Sequence, residues 1–193
     1  MYWYNINKKY CSAVMVLVLT ALFLSCADNT QKEKVSAETY FDIPTYFREE
    51  VARLTLENPL VEKTVLKDSL SETKSLQIAD WDNELSSFVS IDLNKPVYAG
   101  VLKRDSTANR IVITSTDPKL DLVQIEIQYG ENSEPTAFRI QRHVQNSLFE
   151  TQETLFYAKD KEYSLEKQQS IRILGDKYYR VEGLFNRQTE PKK

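Results

Sequence analysis

Few side chains in this 193-residue sequence could carry out acid–base, nucleophilic or metal chemistry. His143 is its only histidine, and it alternates with Arg139 and Gln141 in the pattern of a solvated strand face. The four glycines build neither a Gly-x-Ser-x-Gly elbow nor a phosphate-binding loop. The sequence therefore predicts no catalytic residue, no metal site and no bound cofactor, and we expect the protein not to be an enzyme.

The densest group of carboxylates is formed by Asp80, Asp82 and Glu84. Paired carboxylates can cleave glycosidic bonds or bind calcium. These three lie where a helix is predicted to begin, and acids there accept hydrogen bonds from free backbone N–H groups and favour the helix dipole. The helix-start interpretation is therefore favoured. Three further acids are interpreted as parts of solvated faces: Glu49, Glu50 and Glu72.

Tyrosine is abundant, with eleven residues, and four of them fall in the last three predicted strands: Tyr157, Tyr163, Tyr178 and Tyr179. Aromatic side chains on a sheet can form a platform that binds a sugar, a lipid or a partner. Cross-strand packing inside the core is the ordinary alternative. These four tyrosines are the predicted ligand or partner surface, and the glutamine-rich polar face of the strands is a second docking surface to consider.

The first thirty residues have the order of a secretory signal. Lys8 and Lys9 precede an apolar run that extends from Cys11 to Leu24. About 18 apolar residues are needed to span a bilayer as a helix. Because this run is shorter, the sequence favours a signal peptide over residues 1–25 rather than a retained transmembrane anchor.

The stretch Leu22-Phe23-Leu24-Ser25-Cys26 resembles the lipobox of bacterial lipoproteins, although Phe23 departs from the leucine that the family usually has there. The resemblance implies cleavage before Cys26, attachment of acyl chains to that residue and anchoring to a membrane. Ala27 follows the cysteine, where an aspartate would imply retention in the inner membrane. The resemblance therefore favours the outer membrane of a bacterial envelope and leaves the leaflet open.

Two alternatives stay open for this segment: an ordinary secretory signal with a coincidental cysteine, and a short buried helix of a cytosolic domain. Cys11 lies inside the part to be removed, so a processed chain keeps Cys26 alone and forms no intramolecular disulfide. Loss of residues 1–25 removes two lysines and no acid, which takes the formal net charge from −3 to about −5. Such an acidic chain lacks the basic footprint of a nucleic-acid binder.

Composition divides the rest of the chain into three parts. A polar tether is predicted over residues 26–39, a single domain over residues 40–187 and a disordered tail over residues 188–193. The domain begins with a stripe of apolar residues at helical spacing over residues 42–58. A second such stripe covers residues 79–91, so two helices are predicted, with aspartates as their N-caps.

Strands are predicted from short alternating runs separated by turn residues. Residues 61–67 and 72–78 read as a hairpin between the two helices. In a later run, Val123, Ile125 and Ile127 alternate with polar residues, which predicts that all three face the core. Short connections favour an antiparallel meander. Seven strands are predicted after Pro96, near residues 97–104, 110–116, 120–129, 136–145, 148–157, 162–173 and 177–185.

The predicted fold class is α+β: two N-terminal helices packed on a curved antiparallel β-meander of about seven strands, which forms a half-barrel. A closed lipocalin-like barrel is the alternative. The order of elements, with two helices before an all-strand remainder, is similar to that of uncharacterised lipoproteins of Bacteroidota.

Two functions from different classes are compatible with this picture. The leading hypothesis is a membrane-anchored envelope lipoprotein that acts as a non-enzymatic accessory or assembly subunit and binds another envelope protein. The alternative is a carrier that holds an apolar or carbohydrate ligand in the concavity of the sheet, which the tyrosines of the last strands would line.

Overall fold

The first helix, α1, comprises Ile43–Glu57 in a computed structural model that describes residues 39–186. As predicted, Asp42 caps it, because its carboxylate accepts a hydrogen bond from the backbone N–H of Thr45 at 3.0 Å. The helix ends at Asn58, which adopts the left-handed conformation with φ of 44°. One apolar stripe is buried against the sheet: Ile43, Phe47, Val51 and Leu54.

The second predicted helix is divided in two, so the expected number of helices was wrong. Asp80 caps α2 (Trp81–Glu84), as predicted, and α3 (Ser86–Val89) follows after a single residue. That residue, Leu85, has φ of −100° and ψ of 9°, outside the helical region. Leu85 is fully buried, so the break points its side chain into the core.

Within residues 39–186, all strands belong to one antiparallel sheet, which has nine members in the order β2-β1-β9-β8-β7-β6-β5-β4-β3. The meander was predicted correctly for the last seven strands, and the hairpin of β1 and β2 extends the same sheet beside β9, which makes nine strands rather than seven. The strands are β1 (Leu60–Lys67), β2 (Leu70–Gln77), β3 (Leu102–Ser106), β4 (Arg110–Ser115), β5 (Leu122–Tyr129), β6 (Pro135–Gln145), β7 (Phe149–Ala158), β8 (Glu162–Ile171) and β9 (Gly175–Phe185).

The sheet is open, so the structure does not show the closed barrel that was the alternative expectation. Its edge strands are β2 and β3, and both carry charged side chains. Glu72 and Lys74 pair at 2.6 Å on β2, and β3 contains Lys103 and Asp105. Charges on an edge strand discourage pairing with the strands of other molecules.

Two local predictions at the strands were wrong. Residues 97–104 do not form one strand, because Pro96–Tyr98 is a 3₁₀ turn and β3 starts only at Leu102. In β5 the register shifts between Leu122 and Gln124, so Val123 is an extra residue in a β-bulge and is exposed while Leu122 is buried.

The helices cover one face of the sheet, which we call the helix-covered face. Phe47 lies at the centre of its aromatic core, with ring centroids 4.7 Å from Phe88, 5.1 Å from Phe138 and 5.1 Å from Tyr157. Offset and edge-to-face contacts at these separations add to the stabilisation from apolar burial. The core therefore joins α1 and α3 to the middle of the sheet.

Gly183 of β9 makes room for a neighbouring aromatic ring on this face. Tyr163 of β8 is its cross-strand partner. A Cβ atom at position 183 would lie 2.2 Å from the tyrosine ring, a distance that real Cβ atoms do not show. Glycine is therefore what allows the ring of Tyr163 to lie across β9 toward α2.

Several predictions fall outside the described residues. They concern the signal peptide over residues 1–25, lipidation of Cys26, nearly all of the tether over residues 26–39 and the tail over residues 188–193. Within residues 39–186, no helix is long and apolar enough to cross a membrane.

Candidate functional site

The opposite face of the sheet, which we call the open face, has no helix of the described residues packed on it. Alternation along the strands places Arg139 on this face while its neighbours Phe138 and Ile140 are buried on the other. The cross-strand partner of Arg139 is Phe156 of β7. Its guanidinium carbon lies 4.7 Å from the centroid of the Phe156 ring, a cation–π contact.

Two hollows of the open face adjoin at Phe156. One has a volume of about 250 Å³ and is lined by polar side chains. The other has a volume of about 430 Å³ and reaches the turn between β7 and β8, where Asp160 and Lys161 line it. Phe156 lines both hollows, so a partner that filled either one would contact its ring.

The smaller hollow carries charges of both signs. Arg139 and Arg180 face three carboxylates there, those of Glu162, Glu166 and Glu182. Arg180 donates to Glu182 at 2.9 Å, so one ion pair lies inside the hollow. An aromatic anchor beside arginines and surrounded by polar groups is typical of protein–protein interfaces.

The structure separates the four tyrosines predicted as a ligand or partner surface. Tyr157 and Tyr163 are cross-strand partners, and both are buried on the helix-covered face. Tyr179 lies on the same face but is exposed, two residues before Val181. Tyr178 points to the open face by alternation along β9. The four therefore do not form one platform, and their contact with a ligand or partner stays a prediction.

A half-open cavity of about 210 Å³ lies on the helix-covered face where α2 and α3 meet β1, β8 and β9. Tyr163 and Tyr179 both line it. Glu84 accepts hydrogen bonds from the Tyr163 hydroxyl at 2.7 Å and from the Lys63 ammonium at 2.6 Å. Glu84 lies in the first turn of the helix, as predicted, and Asp80 caps it, while the Glu84 side chain joins α2 to the sheet.

Glu50 was predicted to lie on a solvated face, and this was wrong, since only 5% of its surface is exposed. It lies on α1 beneath Tyr157, whose hydroxyl donates to its carboxylate. The Arg53 guanidinium donates to both oxygens, at 3.1 and 2.7 Å, and also pairs with Asp160 at 2.9 Å. Glu49, next in the chain, is exposed as predicted.

The buried ion cluster of Glu50 shifts several pKa values. Burial by itself raises the pKa of Glu50, but the hydrogen bonds from Arg53 and Tyr157 outweigh it and hold that pKa below its usual range. Burial raises the pKa of Tyr157, and the Glu50 charge raises it further. The carboxylate is therefore kept ionised and the phenol neutral, the pair of states that preserves the hydrogen bond.

His143 was predicted as a solvated strand residue, and it lies on the open face with its side chain 36% exposed. Its Nε2 atom is 2.9 Å from the Glu150 carboxylate on the adjacent strand. Within residues 39–186, no group of three or more histidine, cysteine or acidic side chains is arranged to hold a metal ion.

No protein-family model, curated protein or solved structure matches this chain. The proposals below therefore rest on the residues and geometry of this chain alone.

Because several phenols are buried, we expect the protein to lose stability in alkali. Burial raises the pKa of Tyr46, Tyr157 and Tyr163 above the ordinary value of 10.0. Because the folded-state pKa values are raised, the contribution of these phenols to the free energy of unfolding is complete below pH 10. It is lost as pH rises further, by about 1.4 kcal/mol per pH unit for each phenol that stays protonated until the chain unfolds. The melting temperature and the ultraviolet absorbance of phenolate should be followed together across this range.

We expect the buried phenols to ionise only when the chain unfolds, which the loss of far-ultraviolet circular dichroism reports. Replacement of Tyr157 by phenylalanine should remove one residue from that group. The matched control, Tyr179→Phe, changes an exposed tyrosine and should leave the group unchanged. Ionisation of every tyrosine before the circular dichroism changes would contradict the prediction.

Proposed function

We propose that the chain is a membrane-anchored envelope lipoprotein whose sheet domain is a non-enzymatic accessory subunit that binds another protein of the envelope. In this proposal Cys26 carries the lipid, the outer membrane is favoured over the inner one, and the open face around Phe156 is the binding surface. No nucleic acid, metal or cofactor takes part.

The observation that carries the binding role is the position of Phe156. It is a large apolar side chain in the middle of a polar sheet face, stacked on Arg139 and flanked by two hollows. Hot spots of protein interfaces combine aromatic residues with arginine and lie in pockets surrounded by polar contacts. The mixed charge of the smaller hollow supplies such a polar rim.

Photocrosslinking in native membranes tests the binding role. A photoreactive amino acid at Arg139, which is exposed on the open face, should capture one protein at an abundance comparable to that of the chain. The matched control position is Arg48, which is exposed on α1. Phe156→Ala should lower the yield at position 139 roughly thirtyfold, because truncating a hot-spot side chain costs about 2 kcal/mol or more.

Recovery of the protein without a partner, or equal capture at positions 139 and 48, would argue against the binding role. The anchor is tested separately by Cys26→Ser. This substitution removes the thiol that accepts the lipid, so the protein should leave the membrane fraction and change in mass. A variant that stays membrane-bound at its normal level, with an unchanged mass, would contradict the anchor.

A second candidate function is favoured by the cavity that Tyr163 and Tyr179 line. Nine twisted antiparallel strands tend to curl, and we propose that this sheet forms a half-barrel whose concavity holds an apolar or carbohydrate ligand. The cavity of about 210 Å³ has apolar walls from Leu165 and Val181 and polar groups from Glu84. Native mass spectrometry of the chain extracted from membranes discriminates the two functions, since only a carrier retains a small molecule.

A further inference from the structure

Three exposed apolar residues lie on two adjoining turns at one end of the sheet, and we call them the tip cluster: Leu148, Ile173 and Leu174. They are 65%, 89% and 70% exposed. The turn between β6 and β7 and the turn between β8 and β9 adjoin, because the backbone N–H of Arg172 donates to the carbonyl of Leu148 at 3.1 Å. The cluster is therefore a shared feature of two turns.

The apolar surface continues from the tip cluster into the sheet. Phe149 and Ile171 are cross-strand partners directly behind it, and both are half-buried. Single exposed apolar residues are common on proteins, whereas a larger exposed apolar patch is typical of a surface that contacts another protein or a membrane.

Basic residues lie on the helix-covered face near this end of the sheet. Lys67 and Lys167 are cross-strand neighbours on either side of exposed Tyr179, and Lys177 lies two residues earlier on β9. Arg172 is part of the turn itself. Among residues 39–186, none of these four cations forms an ion pair.

The nearby acids make other contacts, and the Asp68 carboxylate, next to Lys67 in the chain, accepts a hydrogen bond from the backbone N–H of Tyr178 at 3.0 Å. Glu153, in the same cross-strand row as Lys167, is paired with Arg142 at 3.0 Å. Alternation places Glu150 and Asp176 on the open face instead. The combination of exposed apolar side chains and unpaired cations is complementary to the anionic headgroups and acyl boundary of a bilayer.

The side chain of Tyr40, near the start of the described residues, reaches this end of the sheet. Tyr40 donates its hydroxyl proton to the carbonyl of Leu102, 3.3 Å away, where β3 starts. The antiparallel register places the start of β3 at the same end as the turns after β6 and β8. Residues 27–39 separate Cys26 from Tyr40, and thirteen residues reach at most about 45 Å when extended.

We propose that the tip cluster inserts into the interfacial region of the membrane while Lys67, Lys167, Lys177 and Arg172 contact anionic lipid headgroups. Insertion of the tip cluster orients the sheet so that its turns lie on the bilayer and its open face is accessible from the surrounding compartment. The inference rests on the proposed lipid anchor, which keeps the domain within reach of the surface.

The test compares two exposed positions of the full chain. A photoreactive amino acid replaces Ile173 in one variant and Leu56 in the other, since Leu56 is an equally exposed apolar residue, at 88%, on α1. Purified chain is reconstituted into phosphatidylethanolamine vesicles with and without phosphatidylglycerol, and lipid adducts are measured by mass spectrometry. Each cation that lies near an anionic membrane strengthens binding to it about fivefold. Phosphatidylglycerol should therefore raise the yield of lipid adduct at position 173 at least fivefold and leave the yield at position 56 unchanged.

Equal lipid labelling at positions 173 and 56 would overturn the docking proposal, and so would labelling at position 173 that does not respond to phosphatidylglycerol. Adducts at position 173 with protein in native membranes would overturn it too, because they would make the tip cluster a protein interface. Failure of the proposed lipid anchor can be distinguished from failure of docking. Without the anchor the chain would stay soluble, and lipid adducts at position 173 on added vesicles would still measure docking.

Discussion

Replacing Phe47 by alanine should lower the free energy of unfolding by about 3–5 kcal/mol, the cost of truncating a fully buried phenylalanine. Its ring is completely buried and contacts Phe88, Phe138, Tyr157 and Tyr46. The substitution leaves a cavity at the junction of α1, α3 and the sheet, and the rigid strands around it allow little collapse. Urea denaturation, followed by tryptophan fluorescence and circular dichroism, measures the loss.

Leu56→Ala is the matched control for this prediction. It truncates an apolar residue of the same helix that is 88% exposed, and a change within about 0.5 kcal/mol is expected. Equal losses for the two variants would contradict the explanation from packing of Phe47 against the sheet, since alanine raises the helix propensity at both positions.

Replacing Arg53 by methionine should lower the free energy of unfolding by about 3 kcal/mol at neutral pH, because it leaves the buried Glu50 carboxylate without its counter-charge. The value lies at the lower end of the range for buried pairs, since a quarter of the Arg53 side chain is exposed. Arg53 also joins α1 to the turn after β7 through Asp160. Urea denaturation at several pH values measures the effect.

The pH dependence of this variant has a definite sign. The folded-state pKa of Glu50 is lowered, so the wild-type chain has the full stabilisation above the unfolded pKa of about 4.3 and loses it as pH falls through the folded value. The difference between Arg53→Met and the wild type should therefore shrink in acid. Arg48→Met, at an exposed position of the same helix, should show neither effect.

A double variant, Glu50→Gln with Arg53→Met, should recover most of the lost stability, because it removes both buried charges and keeps an amide oxygen that accepts from the buried Tyr157 hydroxyl. A loss as large as that of Arg53→Met alone would contradict the explanation from the unpaired carboxylate, and it would point instead to packing by the arginine stem.

Much of the architecture could be predicted from local patterns. The stripe of α1, its Asp42 cap and the antiparallel meander follow from hydrophobic periodicity, N-cap chemistry and short turns, each of which depends on residues close in sequence. Predictions at the boundaries were less accurate. The β-bulge at Val123 and the break at Leu85 depend on how distant residues pack, and alternation within the segment carries no sign of either.

The sequence by itself determined the kind of elements, their order and the lipobox-like stretch that ends at Cys26, because these depend on residue type and on spacing along the chain. Only the tertiary structure decided which side chains meet. Glu50 is joined to Tyr157 across 107 positions, and Glu84 to Tyr163 across 79. Phe156 and the tip cluster likewise became candidate surfaces only when pairing across the sheet showed which residues the helices cover. Such contacts depend on register and on which face a helix occupies, and both are set by the free energy of the whole fold.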